Sequence, residues 1–267
     1  MQDISLLPPA DHYQYFSHLF HAEKFIPFDE YIPQLNWDYP EFDLQRFKNL
    51  FLQDLSYVKD CRILDIGCHT GYFSYIAKYL GAQSIHGINA RMHPLKVAEY
   101  AYSQLNITNF KFDQHNIEDL NFLKLVCQDK DTLILTLTLE HLRNPYAILE
   151  IISKSDIKNL IFESSIIDDD LDPTLKYYVQ STESAFTVYD DDLSKKVAFG
   201  CCPNLAWIEQ MLYWFGWRIE SRILEHKFNK NHFSTPGLEK FPPRTQKTVT
   251  IHCKKFDGLI DKNNYEK

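Results

Sequence analysis

Between residues 62 and 163 the apolar positions fall into short blocks that alternate between two spacings. Arg62–Ile66, Ser84–Ile88, Phe110–Gln114, Thr132–Leu137 and Lys158–Glu163 are brief runs rich in β-branched, aliphatic or aromatic side chains, which predicts five strands. The stretches between them, from the turn after Ile66 through Leu80, then Pro94–Leu105, Asn121–Cys127 and Pro145–Ser153, predict helices. Strand–helix repetition with short connections implies a parallel sheet covered on both faces. Upstream, Phe42–Leu55 sets Leu44, Phe47, Leu50, Phe51 and Leu55 along one helical face. Downstream, Leu205–Phe215 reads as a helix closed by Gly216 at the position after its end, and Trp217–His226 and Lys247–Lys254 read as two late strands.

The flanks of this pattern differ in character. Residues 1–45 are aromatic and broken by Pro8, Pro9, Pro27, Pro33 and Pro40, with room for one amphipathic helix over His12–Lys24, and they read as an N-terminal cap or lid. Residues 46–256 form the main domain. Within it, about 164–203 interrupts the rhythm with Asp168–Asp170 and Asp190–Asp192 and reads as an inserted loop. The tail, 257–267, is polar and reads as disordered.

Composition narrows the functional classes. The 267 residues are 45% hydrophobic and 24% charged, the balance of an ordinary water-soluble globule. The formal net charge is −8, and no Lys/Arg run appears, which disfavours a nucleic-acid partner because phosphate backbones are gripped by basic faces. The six cysteines make no CxxC pair, and the His18/His21 pair has no companion ligands, so neither a disulfide framework nor a metal site is expected. No apolar run nears the roughly 18 residues of a membrane span. The acidic Met1-Gln2-Asp3 opening and the early Pro8-Pro9 are unlike a signal peptide, so the expected setting is cytoplasmic.

The informative segment is Arg62-Ile-Leu-Asp-Ile-Gly-Cys-His-Thr-Gly-Tyr-Phe-Ser74. A buried strand runs into an acid-then-glycine turn, and a helix starts near the second glycine. Ligands of open α/β sheets bind at the carboxyl ends of the strands, where Gly67 and Gly71 let backbone approach a bound molecule and a helix N-terminus faces it. Spacing alone therefore predicts a nucleotide-like ligand at the first turn. A dinucleotide G-x-G-x-x-G is poorly matched.

This segment resembles motif I of the class I S-adenosylmethionine-dependent methyltransferases, L-D-x-G-C-G-T-G. The similarity extends over roughly residues 40–225. It implies a Rossmann-like α/β fold: a mostly parallel seven-stranded sheet with helices on both faces, preceded by the cap and carrying the insertion after strand 5. It also implies S-adenosyl-L-methionine as cofactor, held around Asp65, Gly67, Cys68, His69 and Gly71, with Asn89 and Ala90 after the second strand, Asn116 and Ile117 after the third, and Thr136 in the fourth. Three of these depart from the family pattern: His69 replaces a glycine, and Asn89 and Asn116 replace acids. Thr138-Leu-Glu-His-Leu-Arg-Asn-Pro145 is similar to the fourth-strand V-L-E-H-L-x-D-P signature of small-molecule methyltransferases. The implied reaction is in-line methyl transfer to oxygen or nitrogen of a small-molecule acceptor, with His141 as candidate base. Tyr177, Tyr178 and Glu183 are candidates to line the acceptor pocket. Two other readings stay open: a non-catalytic binding protein on the same fold, and a transferase similar to the subgroup that modifies the transfer-RNA wobble uridine, whose text is echoed by Trp37-Asp-Tyr-Pro40 and Phe162-Glu-Ser-Ser165. Oligomeric state is not indicated.

Overall fold

A computed structural model describes residues 40–167, 172–181, 197–225 and 247–256. The cap helix over His12–Lys24, the Asp190–Asp192 run, Glu183 and the tail lie outside the described residues. Five parallel strands, β1 (Arg62–Ile66), β2 (Ser84–Asn89), β3 (Phe110–Gln114), β4 (Thr132–Thr136) and β5 (Asn159–Ile166), alternate with helices α2 (Tyr72–Tyr79), α3 (Met92–Gln104), α4 (Leu120–Val126) and α5 (Pro145–Ser153). Helix α1 (Pro40–Phe51) precedes them and runs across residue 45, where the cap was expected to end. Helix α6 (Leu205–Trp214) leads to β8 (Trp217–Glu225) and β9 (Lys247–Lys255), which complete a seven-stranded sheet in the order β3-β2-β1-β4-β5-β9-β8. β9 runs antiparallel to both β5 and β8.

The central strands bury both faces because their side chains alternate between two cores. Ile63, Ile134 and Ile161 point to a cluster with Phe47, Leu50 and Phe51 of α1 and Ile76 and Ala77 of α2. Their neighbours Leu64, Leu133, Leu135, Leu160 and Phe162 point to the opposite cluster, with Leu123 of α4, Ile148 and Ile152 of α5 and Ile208 and Leu212 of α6. Helix ends follow local chemistry. Asp119, Asn144 and Asn204 cap α4, α5 and α6 by accepting backbone N–H bonds, and Gly216 takes a left-handed φ of 81° just past α6.

One region departs from the expected loop. Part of the insertion forms an antiparallel pair, β6 (Leu175–Ser181) with β7 (Val197–Pro203), and β5 itself continues to Ile166. Acidic runs dominate the composition there and hide two strands that pair with each other rather than with the main sheet. Strand order reverses between β1 and β4, which β1 joins directly. That reversal opens a crevice at the carboxyl ends of the strands, the place where open α/β sheets bind ligands. Among the described residues no helix is long and apolar enough to cross a membrane.

Candidate active site

The first wall of the crevice is the turn after β1. Gly67, His69 and Gly71 take left-handed φ of 77°, 53° and 75°. The N–H groups of Gly67 and Cys68 both donate to the Ile88 carbonyl of β2 (2.8 and 3.1 Å), and Gly71 N–H returns to the Cys68 carbonyl (2.8 Å). The space beside the two glycines is taken by neighbouring side chains. A Cβ on Gly67 would lie 2.0 Å from Thr138 Oγ1, and one on Gly71 would lie 3.0 Å from Ala98 and Phe112. Cys68 points inward towards Gly87, where its sulfur is 2.9 Å from where a Cβ would stand, and burial pushes its thiol pKa up. His69, half-buried, accommodates its left-handed backbone in the position where the family pattern has glycine.

Asp65 lies beneath this turn and is 1% exposed. Its Oδ2 accepts the Ser74 hydroxyl at 2.5 Å, joining β1 to the first turn of α2. Its Oδ1 is buried with no hydrogen-bond partner among the described residues. Burial pushes the Asp65 pKa up to about 7, against the bonds from Ser74 that favour the charged form. A buried acceptor without a donor is costly, and it is where a ligand's N–H or an ordered water would bind.

The ends of β2 and β3 are stitched together. His115 N–H donates to the Asn89 carbonyl (3.1 Å) and Gln114 Nε2 to the Ala90 carbonyl (3.2 Å). Asn89 spends its own amide nitrogen on the Arg91 carbonyl (3.0 Å), so its oxygen is the group it can offer to a hydroxyl. Asn116 is exposed, and its Oδ1 accepts the Glu118 N–H at 3.0 Å, which orients its nitrogen as a donor. Ile117 is 6% exposed and belongs to the core shared with Leu139 and Leu142. Its bulk supports the turn from behind.

The second wall is the connection after β4. Thr136 is buried, and its carbonyl and that of Ile66 both lie within reach of the Thr138 hydroxyl (2.9 and 3.2 Å). Leu137 takes a left-handed φ of 45° and donates its N–H to the Glu163 carbonyl of β5 (2.8 Å). A short 3₁₀ turn, Leu139–His141, then presents buried Glu140 and half-buried His141. Glu140 Oε1 accepts the Ser165 hydroxyl (3.2 Å), and Cys201 of β7 donates its thiol to the Leu139 carbonyl (3.2 Å).

Several groups that shape this wall carry no local sequence signal. Glu163, 1% exposed at the end of β5, is held by a bidentate ion pair with Arg46 of α1, at 2.9 and 2.5 Å. The Arg46 guanidinium also lies 4.6 Å from the ring centre of Phe73 in the first turn of α2. Asn49 bonds Glu225 of β8, and the Leu50 carbonyl accepts from His252 of β9 (2.8 Å). The hydrogen-bonded partners stand more than 100 residues apart in sequence, so no motif marks them. Of the pocket residues expected in the insertion, Tyr177 lies on β6 and is 56% exposed, Tyr178 lies on the same strand, and Glu183 is outside the described residues.

Residues 58–227 match the family model described as a methyltransferase domain. No curated protein matches the sequence. Among solved structures, the N-terminal domain of EvdMO1 with SAH bound is similar with a TM-score of 0.55 at 14% identity, covering 81% of this chain and 80% of that one. A candidate S-adenosylmethionine-dependent methyltransferase from Listeria monocytogenes gives 0.52 at 14% identity, over 80% of this chain and 97% of that one. The [4+2]-cyclase SpnF gives 0.52 at 13% identity, over 80% of each chain. At these identities the structural likeness speaks for the fold alone.

Proposed function

The chain belongs to the methyltransferase-domain family, whose model spans more than half of it, and from that premise we propose that it uses S-adenosyl-L-methionine to methylate a small-molecule acceptor at oxygen or nitrogen. The observation that supports this most is the stitched rim at the carboxyl ends of β1 to β4, with an acid lacking a partner for one oxygen beneath its first turn. The residues present fit such a cofactor. Asp65 Oδ1 calls for a donor of the kind an amino-acid ammonium supplies, directly or through water. Asn89 offers an oxygen to ribose hydroxyls, Asn116 a nitrogen to a base, and the backbone of Gly67, Cys68, His69, Gly71, Ala90 and Thr136 lines the path between them. The sulfonium, when bound, supplies an already activated methyl group. The protein's part is then to align the acceptor and receive its proton.

His141 takes that proton at its imidazole, and Glu140, steadied by Ser165, orders the turn on which His141 stands. The acceptor belongs on the β4–β5 side, beside the 3₁₀ turn that carries His141. Calorimetry with S-adenosylmethionine and S-adenosylhomocysteine tests the cofactor, and heat from neither at millimolar ligand would defeat the reading. In a methyl-transfer assay with small amines and phenols, His141→Ala is expected to lower kcat about 100-fold or more while leaving S-adenosylhomocysteine affinity in place.

A further inference from the structure

The turn after β3 carries a local network of hydrogen bonds. Asn116 Oδ1 accepts from Glu118 N–H, the Asn116 carbonyl accepts from Asp119 N–H (3.0 Å), and Asp119 caps α4 through Asn121 and Phe122 (3.1 and 3.2 Å). His115 stacks on Phe122 with ring centres 3.6 Å apart. Glu118 reaches from this turn to the connection after β4. Its Oε1 accepts the backbone N–H of Arg143 at 2.7 Å, and its Oε2 stands 3.4 Å from the Arg143 guanidinium. Arg143 closes the connection that carries Glu140 and His141, two residues before it. Ile117, beside Glu118, shares a core with Leu139 and Leu142 of that same connection.

A charged acceptor on a backbone N–H is stronger than a neutral one, and here it fixes main chain rather than a mobile side-chain tip. The turn on the nucleoside side and the turn on the acceptor side are thus one mechanical unit, with Glu118 as the polar link and Ile117 as the apolar one. From this we infer that Glu118 is a positioning residue: it couples occupancy of the nucleoside site to the order of the turn bearing His141. This rests on the cofactor reading above. A cofactor that braces residues 115–118 lowers the freedom of Glu118, and so holds the Arg143 amide closed and His141 in register with the methyl group.

Amide hydrogen exchange across residues 141–146, with and without saturating S-adenosylhomocysteine, tests the coupling without knowledge of the acceptor. In the unmodified protein the ligand is expected to slow exchange of the Arg143 amide about fivefold or more. In Glu118→Ala that slowing disappears, while Glu118→Gln, which keeps an oxygen for the amide, restores most of it. By reciprocity, loss of the link weakens the ligand by no more than the same factor, so saturation is still reached. Equal protection of 141–146 by ligand in the unmodified and Glu118→Ala proteins overturns the coupling, as does bound ligand that leaves the unmodified turn unslowed. Calorimetry on the same samples separates this from failure of the cofactor reading, in which no ligand binds at all and the coupling falls with it.

Discussion

The turn after β1 and the connection after β4 stand side by side at one edge of the sheet, and Thr138 of the second fills the space left by Gly67 of the first. They are held by different means. The first is fixed by main-chain bonds to Ile88, by two glycines at positive φ and by the Ser74–Asp65 bond nine residues apart. The second is fixed by side chains from elsewhere: Glu118 from the β3 turn, Ser165 from β5, Cys201 from β7 and, through Glu163, Arg46 from α1. A turn fixed by main-chain bonds keeps its shape when surrounding side chains change. A turn held by distant partners can be re-aimed by changing those partners, which is what variation in the acceptor requires.

The largest test of this contrast is the Arg46–Glu163 pair. Arg46→Ala leaves a carboxylate that is 1% exposed without its cation, and is expected to cost about 3–5 kcal/mol in denaturant unfolding. The double change Arg46→Met with Glu163→Gln removes the stranded charge and is expected to recover most of that loss. If Arg46→Ala alone proves neutral, the β4–β5 side does not depend on remote side chains in the way described.

Gly67→Ala comes next. The new Cβ would meet Thr138 Oγ1 at 2.0 Å on a backbone with φ of 77°, so overpacking and left-handed strain together are expected to cost about 2–4 kcal/mol. Adding Thr138→Ala removes the clash with Oγ1, leaves its Cβ at 3.0 Å and gives up the hydroxyl's bonds to the Ile66 and Thr136 carbonyls, so it is expected to recover only part of that loss. The coupling energy from that double-mutant cycle measures how tightly the two turns interlock.

How much of each region could be read beforehand follows from the same distinction. β1 and α5 begin and end where their apolar blocks do, because strand length, Asn144 and Pro145 are local signals. The acid–glycine turn was legible as a strand–turn–helix junction, and the structure adds that Thr138, Ala98 and Phe112 pack against its glycines. Ile117, expected beside the cofactor, is 6% exposed and shares the core with Leu139 and Leu142, a burial that a single apolar residue after a strand does not announce. Arg46, Glu118 and Glu163 were silent as a set: each is an ordinary charged residue until the fold brings it to its partner. The β6–β7 pair was hidden for a related reason, since its strands stabilise each other across an acidic connection and neither has a neighbour in sequence to announce it.

A pH-dependent effect distinguishes the acid of the first turn. Burial raises the folded-state pKa of Asp65 from 3.8 to about 7, so its contribution to stability is complete below about pH 3.8 and is lost as pH rises towards 7. Asp65→Asn keeps an oxygen for Ser74 and removes the titration. Across pH 4–7 the unmodified protein is expected to lose stability relative to Asp65→Asn by at most about 1.4 kcal/mol per pH unit. Parallel stability–pH curves for the two proteins would show that the carboxyl is hydrated or otherwise satisfied.

The smallest effect compares the turns most directly, because each contains one residue with a side chain in the left-handed region: His69 at φ 53° in the first and Leu137 at φ 45° in the second. Glycine at either position relieves about 1–2 kcal/mol of backbone strain but gives the unfolded chain about 0.5–1 kcal/mol more entropy. For His69→Gly, half-buried in a turn already fixed by main-chain bonds, the expected outcome is a gain of up to about 1 kcal/mol. Leu137→Gly also forfeits the packing of a half-buried aliphatic side chain, worth about 1 kcal/mol, so it is expected to be neutral or slightly destabilising. Urea midpoints of the two variants therefore move apart. A gain at both positions would mean that Leu137 packs against nothing that matters, and that the second turn is held by its hydrogen bonds alone.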